Sequence, residues 1–414
     1  MNPQLRRLDI QRLSTDDGDV LVFHDAAGYA PDLALDAALA PLLVLMDGTR
    51  TPAQIADTAR RNDPDFPQSW LDELIAEMDE HLLLQSPHFG RQRAAREAHW
   101  NAAPQRKAAF AGRSYSDESG VLNAFLDAKL QTGNARLPAR AYDAQSVRAI
   151  VTPHIDFHRG GHTEAASYAP LIENVRATKK PFDTLVILGI AHAGVQYPFC
   201  AAAKDYDTPL GTMKCDREFL GDLESRIGPQ LLSEQFAHKD EHSIEFAAVL
   251  CQFFPELKSS QIVPILCGGF WKSLQSGQPP ERADTGVAEF IEVLREVTRE
   301  HEARGKKIGF IASVDGAHVG TQFGDNTPLS PLKLREIERE DRKWCAAIEA
   351  GDRAALHAHF AKNGNRFNVD AHPALYALLA AFPSLRGQTL DYDQAYHPDQ
   401  NIVVSFASLA LFEV

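Results

Sequence analysis

The sequence predicts an α/β protein of two domains, in which most of the chain forms one sheet covered by helices. From about residue 110 onwards, apolar strand-like runs alternate with helical runs, which is typical of a mainly parallel sheet with helices on both faces. The first 86 residues differ, because short strands precede short helices there. With 414 residues the chain is long enough for two or three domains.

Residues 1–86 are predicted to form the smaller domain. Two short strands flank a turn at Gly18, and an apolar helix follows around Leu35–Met46. The Thr-Pro pair at 51–52 has the residue types of an N-cap and a first helical position. A third helix begins near Ser69 and runs into LLLQ, which we interpret as a wing strand. This order of elements predicts a winged helix.

Two segments of this domain, LLVLMDGTRTPAQIADTA (42–59) and LIAEMDEHLLLQ (74–85), carry a family resemblance. They resemble the PqqD-like winged-helix domains, which recognise leader peptides of ribosomally made, modified peptides. The resemblance implies a peptide ligand, and a plain docking or dimerisation module is the alternative. Residues 87–109 are polar, basic and rich in alanine, so we interpret them as a linker to a second domain at 110–414.

The second domain contains the alternating runs. Its predicted strands are 147–151, 184–190, 261–270, 307–314 and 401–412. Its predicted helices are 243–254, 287–303 and 332–360, the last interrupted at Gly351. The glycine-rich signatures G-x-G-x-x-G and G-x-x-x-x-G-K-[ST] do not occur, so the sequence offers no support for nucleotide binding.

Composition narrows the class of protein. The net charge of −14 disfavours nucleic acid or an anionic membrane as the main partner. We find neither an apolar run that would span a bilayer nor a secretory signal, so we expect a cytoplasmic protein. The cysteines are scattered without a C-x-x-C pair, which disfavours a disulfide framework or a cysteine zinc site. They are Cys200, Cys215, Cys251, Cys267 and Cys345.

The segment VTPHIDFHRGGH (151–162) places three histidines at intervals of four, a spacing that would let a helix face bind a metal. Its other residues argue against a helix. Pro153 disfavours helical backbone before it, and Gly160–Gly161 disfavours a helix after it. We therefore expect a loop between a strand and a helix over 163–175. On this interpretation His154 follows a strand end, whereas His158 and His162 do not bind metal.

Histidines follow three of the predicted strands. His154 comes after AIVTP, His192 after LVILGIA and His318 after GFIASVDGA. Ligand sites in open α/β sheets lie at the carboxyl ends of the strands. The placement predicts that at least two of these histidines share one site.

The second domain also resembles a known family over nearly all of residues 110–414. It is similar to the Memo family, and specifically to its AmmeMemoRadiSam system protein B-like members. The resemblance implies an α/β/α Memo fold similar to class III extradiol non-haem iron dioxygenases. The matching segments are AGRSY (111–115), VTPHIDFHRGG (151–161), LVILGIAH (185–192), DTPLGT (207–212), DEHSIEF (240–246), SVDGAHVG (313–320), DAHPALYALL (370–379) and VVSFAS (403–408).

The resemblance implies a metal site with one departure. Family members bind a metal through histidines that match His154 and His192, and through a cysteine whose position is occupied here by Ala317. The third ligand is then His318, Asp315 or His242, among which we favour His318 slightly; alternatively, tight metal binding has been lost. Two histidines with a carboxylate would suit Fe(II), and Cu or Zn is the alternative.

His242 is predicted to act as the acid–base group. It lies at the start of a predicted helix with Asp240 as N-cap, where the positive end of the helix dipole keeps a histidine neutral. A neutral imidazole can accept a proton, and His242 matches the base of extradiol enzymes by resemblance. His238 and His242 also fit the metallopeptidase pattern H-x-x-E-H. That pattern requires one continuous helix, which a cap at Asp240 would prevent.

Three further residues are predicted to support the site. Asp156 would orient a ligand imidazole, as carboxylates next to metal-bound histidines often do. Glu241 would anchor a loop or bind substrate. His372 matches a Memo-family histidine near the pocket, and a capping role at a helix start is the alternative. Asp315 belongs to this group if it is not itself a ligand.

The function favoured by the sequence is metal-dependent, dioxygenase-like redox chemistry on a peptide or a small aromatic substrate. The alternative is a non-enzymatic, peptide-binding adaptor in a radical-SAM modification system, with a radical-SAM or AMMECR-type partner protein. A metallopeptidase is the third interpretation. We expect neither nucleic acid nor membrane as a partner.

Overall fold

A computed structural model describes residues 2–16, 18–325 and 327–414. The chain divides into two compact units, Met1–Ala103 and Pro104–Val414. The segment predicted to be a linker, 87–109, is shared between them, because its first part forms a helix of the first unit and its last part begins the second.

The described residues of the first unit form a three-stranded antiparallel sheet and four α-helices. Its strands, in the order β1-β2-β3, are β1 (Asp9–Thr15), β2 (Gly18–His24) and β3 (Leu33–Asp36). Its helices are α1 (Ala40–Leu45), α2 (Pro52–Ala59), α3 (Gln68–Glu80) and α4 (Pro87–Ala102). The identification of this unit as a winged helix stays a prediction.

The secondary-structure predictions for the first unit are confirmed in part. Thr51 caps α2 in a capping box with Gln54, and Pro52 is the first helical residue. The helix predicted around Leu35–Met46 is shorter, because residues 33–36 pair with β2. In the predicted wing, Leu84 makes an isolated bridge to Leu5 and LLLQ is not a strand.

The second unit is built on an eight-stranded mixed sheet. The spatial order is β12-β14-β5-β11-β6-β10-β7, and β13 pairs with β14. The strands β5, β11, β6 and β10 run parallel, whereas β14 and β7 flank them antiparallel. In chain order the strands of this unit are β4 (Gln105–Arg106), β5 (Val147–Thr152), β6 (Thr184–Ile190), β7 (Phe199–Ala201), β8 (Asp205–Thr208), β9 (Gly211–Met213), β10 (Gln261–Cys267), β11 (Ile308–Ser313), β12 (His318–Gly320), β13 (Leu385–His397) and β14 (Ile402–Glu413).

Helices cover both faces of this sheet, as predicted. Along β6, Leu185 and Ile187 contribute to one hydrophobic cluster, and Val186 and Leu188 contribute to another. The helices are α5 (Ser119–Asn134), α6 (Phe157–Ser167), α7 (Ala169–Thr178), α8 (Arg217–Ile227), α9 (His242–Phe253), α10 (Trp271–Ser276), α11 (Pro280–Ala283), α12 (Thr285–Ala303), α13 (Pro331–Glu349), α14 (Arg353–Asn363) and α15 (His372–Ala381). Across the described ranges, no helix is long and apolar enough to cross a membrane.

The predicted loop after β5 is wrong, because α6 already begins at Phe157. His158 and His162 therefore lie on a helix, while His154 precedes it. Gly160 is inside α6, where a Cβ atom would lie 2.1 Å from Cγ2 of Ile155. The glycine permits close packing at this point, and its cost in helix propensity is outweighed by the tertiary contact.

A buried ion pair fixes the start of α9. The guanidinium of Arg106 is 1% exposed and donates to Glu245 at 2.5 Å. It also donates to the carbonyl oxygens of His238 and Glu241, at 2.6 and 2.8 Å. Tyr115 donates to the same carboxylate. Every charge in this group is therefore compensated, which a buried ion requires.

We predict that Arg106→Met destabilises the second unit by about 3–5 kcal/mol, because the carboxylate of Glu245 stays buried without its cation. Chemical denaturation of the variant and the wild type measures the difference. Arg176→Met is the matched control, since Arg176 pairs with Glu256 at the surface and should cost less than about 1 kcal/mol. Equal free energies of unfolding for the two variants would contradict the prediction.

Candidate metal centre

Three neighbouring parallel strands deliver side chains to one edge of the sheet. His154, Asp315 and His192 each lie two residues beyond the last residue of β5, β11 and β6, respectively. These strands are adjacent in the sheet, so the three side chains arrive together. The predicted convergence at the carboxyl edge is therefore present for His154 and His192.

The described residues contain one histidine cluster that could hold a metal ion. One ring nitrogen from each of His154, His192 and His242 lies within 4.8 Å of the others. The ring centroids of His154 lie 5.2 Å from those of His192 and 5.1 Å from those of His242. The rings of His192 and His242 are stacked at 4.7 Å. The third member thus comes from the start of α9.

Each imidazole in the cluster is held through Nδ1. Nδ1 of His154 lies 2.9 Å from the carbonyl oxygen of Ser313. Nδ1 of His192 lies 3.0 Å from both carboxylate oxygens of Glu241, and Nδ1 of His242 lies 3.2 Å from Oε1 of the same residue. Acceptors at these positions favour the tautomer with hydrogen on Nδ1. The lone pair is then on Nε2, the arrangement found in metal-bound histidines.

Glu241 anchors the start of α9 to β6. It is the N-cap of α9 and accepts a hydrogen bond from the backbone N–H of Ser243, so the prediction of Asp240 as the cap is wrong. It also accepts from the backbone N–H of His192 at 3.0 Å. The absence of a side chain at Gly189 permits the helix to lie close to the strand, because a Cβ atom there would lie 2.6 Å from Oγ of Ser243. The prediction that Glu241 anchors a loop is consistent with these contacts.

Burial and the charges around the cluster shift the pKa values of the three imidazoles in different directions. Burial disfavours the charged form of His154, but the carboxylates of Asp315 and Asp370 outweigh it and raise the pKa to about 9. Burial likewise opposes the charged form of His192, and Glu241 more than compensates, raising that pKa. Burial lowers the pKa of His242, and the neighbouring imidazoles add to this effect. His242 is therefore neutral at pH 7, mainly through burial.

Asp370 lies in the candidate site and was not predicted from the sequence. Its Oδ2 lies 3.2 Å from Nε2 of His154 and 3.8 Å from Nε2 of His192. Its Oδ1 accepts a hydrogen bond from the backbone N–H of Asp315 at 2.8 Å. Asp370 is the first residue of the segment DAHPALYALL and lies two residues before His372, where α15 begins. A carboxylate just before a helix start was therefore the signal that could have identified it.

Asp315 supports the backbone of His154. Its Oδ1 accepts hydrogen bonds from the backbone N–H groups of His154 and Ile155, at 3.0 and 3.3 Å. Its Oδ2 lies 3.8 Å from Nε2 of His154. This carboxylate therefore positions the loop after β5 and adds negative charge beside the cluster.

Two buried atoms at the centre of the cluster fit a cation. Nε2 of His154 and Oδ2 of Asp370 are both buried and lie 3.2 Å apart, and within the described ranges neither makes a hydrogen bond of acceptable geometry. Buried polar atoms are nearly always satisfied, so such a pair calls for an explanation, and an ion is one of the usual ones. In the metal-free protein the raised pKa of His154 keeps a proton on Nε2 beside this carboxylate. A metal ion would displace that proton, and the imidazole nitrogen and the carboxylate oxygen are then donors suited to a divalent metal.

His318, the favoured candidate for the third ligand, lies outside the cluster. His318 is the first residue of β12, and its Nδ1 lies 3.1 and 3.2 Å from the carbonyl oxygens of Gly316 and Asn368. Among the described residues, the convergent histidines do not include it. Ala317 is fully buried in a hydrophobic cluster. The slight preference for His318 is therefore not supported by the geometry.

Three other residues considered from the sequence, Asp156, His162 and His372, make structural contacts. Asp156 caps α6, accepting from the backbone N–H groups of His158 and Arg159, instead of orienting a ligand imidazole. His162 contacts Asp393. His372 is buried at the start of α15, where burial lowers its pKa to about 3, and its Nε2 lies 3.3 Å from Nδ1 of His357.

The two histidines of the H-x-x-E-H pattern do not share a helix, as a metallopeptidase site would require. His238 is buried before α9, on a separate short 3₁₀ helix. Its Nε2 lies 2.9 Å from the carbonyl oxygen of Cys200, and its Nδ1 lies 2.7 Å from the hydroxyl of Tyr206. Both ring nitrogens are therefore engaged, and burial lowers the pKa to about 4.

Comparisons with known proteins identify a family. A family profile described as "Memo-like protein" matches residues 106–410. A MEMO1 family protein of Aquifex aeolicus is 26% identical over 418 residues, which covers 100% of both chains. A MEMO1 family protein of Pyrococcus furiosus is 28% identical over 58% of this chain and 73% of its own. One of Methanosarcina barkeri is 27% identical over 64% and 86%, respectively.

We predict opposite titration behaviour within the cluster in chelator-treated protein. His154 should stay protonated until the pH rises to about 9. His242 should stay neutral even when the pH falls just below the ordinary pKa of histidine. Glu241→Gln should lower the pKa of His192, because it removes the anion that raises it. NMR of the imidazole nitrogens measures all three. A charged His242 at pH 7 would contradict this assignment.

Proposed function

This chain belongs to the Memo-like protein family, and on that premise we propose that it binds a redox-active divalent metal at the histidine cluster and carries out dioxygenase-like chemistry. Fe(II) is the favoured ion, and the substrate class is a peptide or a small aromatic molecule. One observation carries the proposal: one ring nitrogen from each of the three imidazoles lies within 4.8 Å of the others, beside the buried Oδ2 of Asp370, which has no hydrogen bond in the described structure.

His154 and His192 would hold the ion. Both follow parallel strands, so their backbones are fixed by the sheet, and both Nδ1 atoms have acceptors. When bound, Fe(II) supplies Lewis acidity and a redox couple for oxidation by dioxygen. A site built on rigid strands with oriented ligands meets the geometric demands of such chemistry.

His242 would act as the base. Glu241 orients its Nδ1, and the low pKa leaves Nε2 free to take a proton from a substrate hydroxyl at neutral pH. The side chains of His192 and His242 are 39% and 29% exposed, whereas His154 is 1% exposed. Substrate would therefore approach from the side of His192 and His242.

A specific observation favours a second candidate function, a peptide-binding adaptor. The edge strand β1 of the first unit is exposed along its whole length, and Ile10 and Leu13 are exposed apolar residues on it. An extended peptide can add to such an edge. The adaptor would serve a radical-SAM or AMMECR-type partner and would need no metal, so stoichiometric metal in the purified chain favours the enzyme.

We predict that His154→Ala and His192→Ala each abolish metal binding, because each removes a ligand that the fold holds in place. His158→Ala and His162→Ala are matched controls from the same sequence segment and should keep the wild-type metal content. Elemental analysis of the purified proteins distinguishes them. Equal metal content in all four variants would remove the proposed site.

We predict that His242→Ala keeps the metal but slows oxidation by roughly 10²–10⁴-fold, the usual effect of losing a general base. Oxygen uptake with a catechol as the probe, measured beside metal content, separates the two effects. Loss of the metal in this variant would show that His242 is a ligand instead of the base.

A further inference from the structure

Position 317, where the family resemblance implies a thiolate, offers no metal donor here. Ala317 has only a methyl group, which is fully buried among hydrophobic side chains. Its backbone N–H donates to Oγ of Ser405 at 2.6 Å, which fixes the loop in the core. A third protein ligand must therefore come from another segment of the chain.

Asp370 has the geometry of that ligand. Metal–nitrogen and metal–oxygen bonds are about 2.0–2.2 Å long, so two donors at neighbouring positions on one ion lie about 3.0–3.5 Å apart. Oδ2 of Asp370 lies 3.2 Å from Nε2 of His154, within this interval, and 3.8 Å from Nε2 of His192, slightly beyond it.

The orientation of Asp370 is set before any ion binds. Its Oδ1 accepts the backbone N–H of Asp315, so Oδ2 is directed to the histidines. Asp315 in turn holds the backbone of His154 through Oδ1. The carboxylate is therefore preorganised in the same hydrogen-bonded unit as the first histidine ligand, while its Oδ2 is left without a hydrogen bond in the described structure.

We propose that Asp370 is the third protein ligand of the ion that the proposed function assigns to His154 and His192, in place of the thiolate that the resemblance implies. The inference rests on that function. Two imidazoles and one carboxylate form a ligand set typical of non-haem Fe(II) centres, whereas a thiolate favours Cu(I). A carboxylate as the third ligand therefore favours Fe(II) over Cu(I) at this site.

Charge favours this set over three histidines. A divalent ion with three neutral imidazoles keeps two positive charges in a buried site, whereas Asp370 removes one of them. His242 is stacked on His192 with the rings 22° apart and shares its anchor, Glu241. It remains beside the ion as the base.

The test compares Fe(II) and Cu(I) affinities of the wild type, Asp370→Asn and His318→Gln by competition with chromophoric chelators without oxygen. Asp370→Asn keeps the shape and the hydrogen bond from Asp315 but weakens the donor. It should reduce Fe(II) affinity by more than the roughly 10–100-fold cost of losing an outer partner. It should change Cu(I) affinity less, and His318→Gln should leave both unchanged. Wild-type Fe(II) affinity in Asp370→Asn overturns the inference.

A second measurement needs no variant. The EPR spectrum of the Cu(II)-loaded wild type should show coupling to two imidazole nitrogens. Coupling to three would assign the third position to His242 and overturn the role of Asp370, while leaving the proposed metal site intact. A wild type that binds none of the three ions would instead remove the proposed function itself.

Discussion

The arrangement of the candidate centre depends on the buried carboxylate of Glu241. It receives hydrogen bonds from the backbone and ring of His192, and it caps α9, whose first residue is His242. Arg106 secures the same turn through the backbone carbonyl of Glu241. A single anion thus sets the distance between a strand end and a helix start, and with it the separation of two imidazoles. The chemistry proposed for the site follows from that separation.

Much of the fold was predictable because buried strands have a simple apolar sequence pattern. The strands β6, β10 and β11 are buried on both faces, so they appear as continuous apolar runs with nearly correct bounds. The long strand β13 was missed, because it is mostly half-buried and its sequence LRGQTLDYDQAYH is polar. The start of α6 was missed for another reason: a tertiary contact at Gly160 outweighs the helix propensity of glycine.

The site was predictable to the extent that strands position it. Residues just beyond parallel strands must meet at one edge, so the pairing of His154 with His192 followed from the sequence. Asp370 did not, because it is carried by the irregular segment before α15, whose path depends on packing. The preference for His318 came from its position next to Ala317, where the resemblance implies a cysteine ligand. Two or three residues of loop suffice to turn a side chain away, as the contacts of His318 with Gly316 and Asn368 illustrate.

The position of β14 has a consequence for how the protein is made. This strand is the last along the chain, yet it lies inside the sheet, between β5 and β12, and pairs with β13 as well. During translation β5 emerges some 250 residues before the partner that covers its second edge. The nascent second unit therefore exposes an open edge of β5 until β14 has been made, and an open strand edge can pair with other chains.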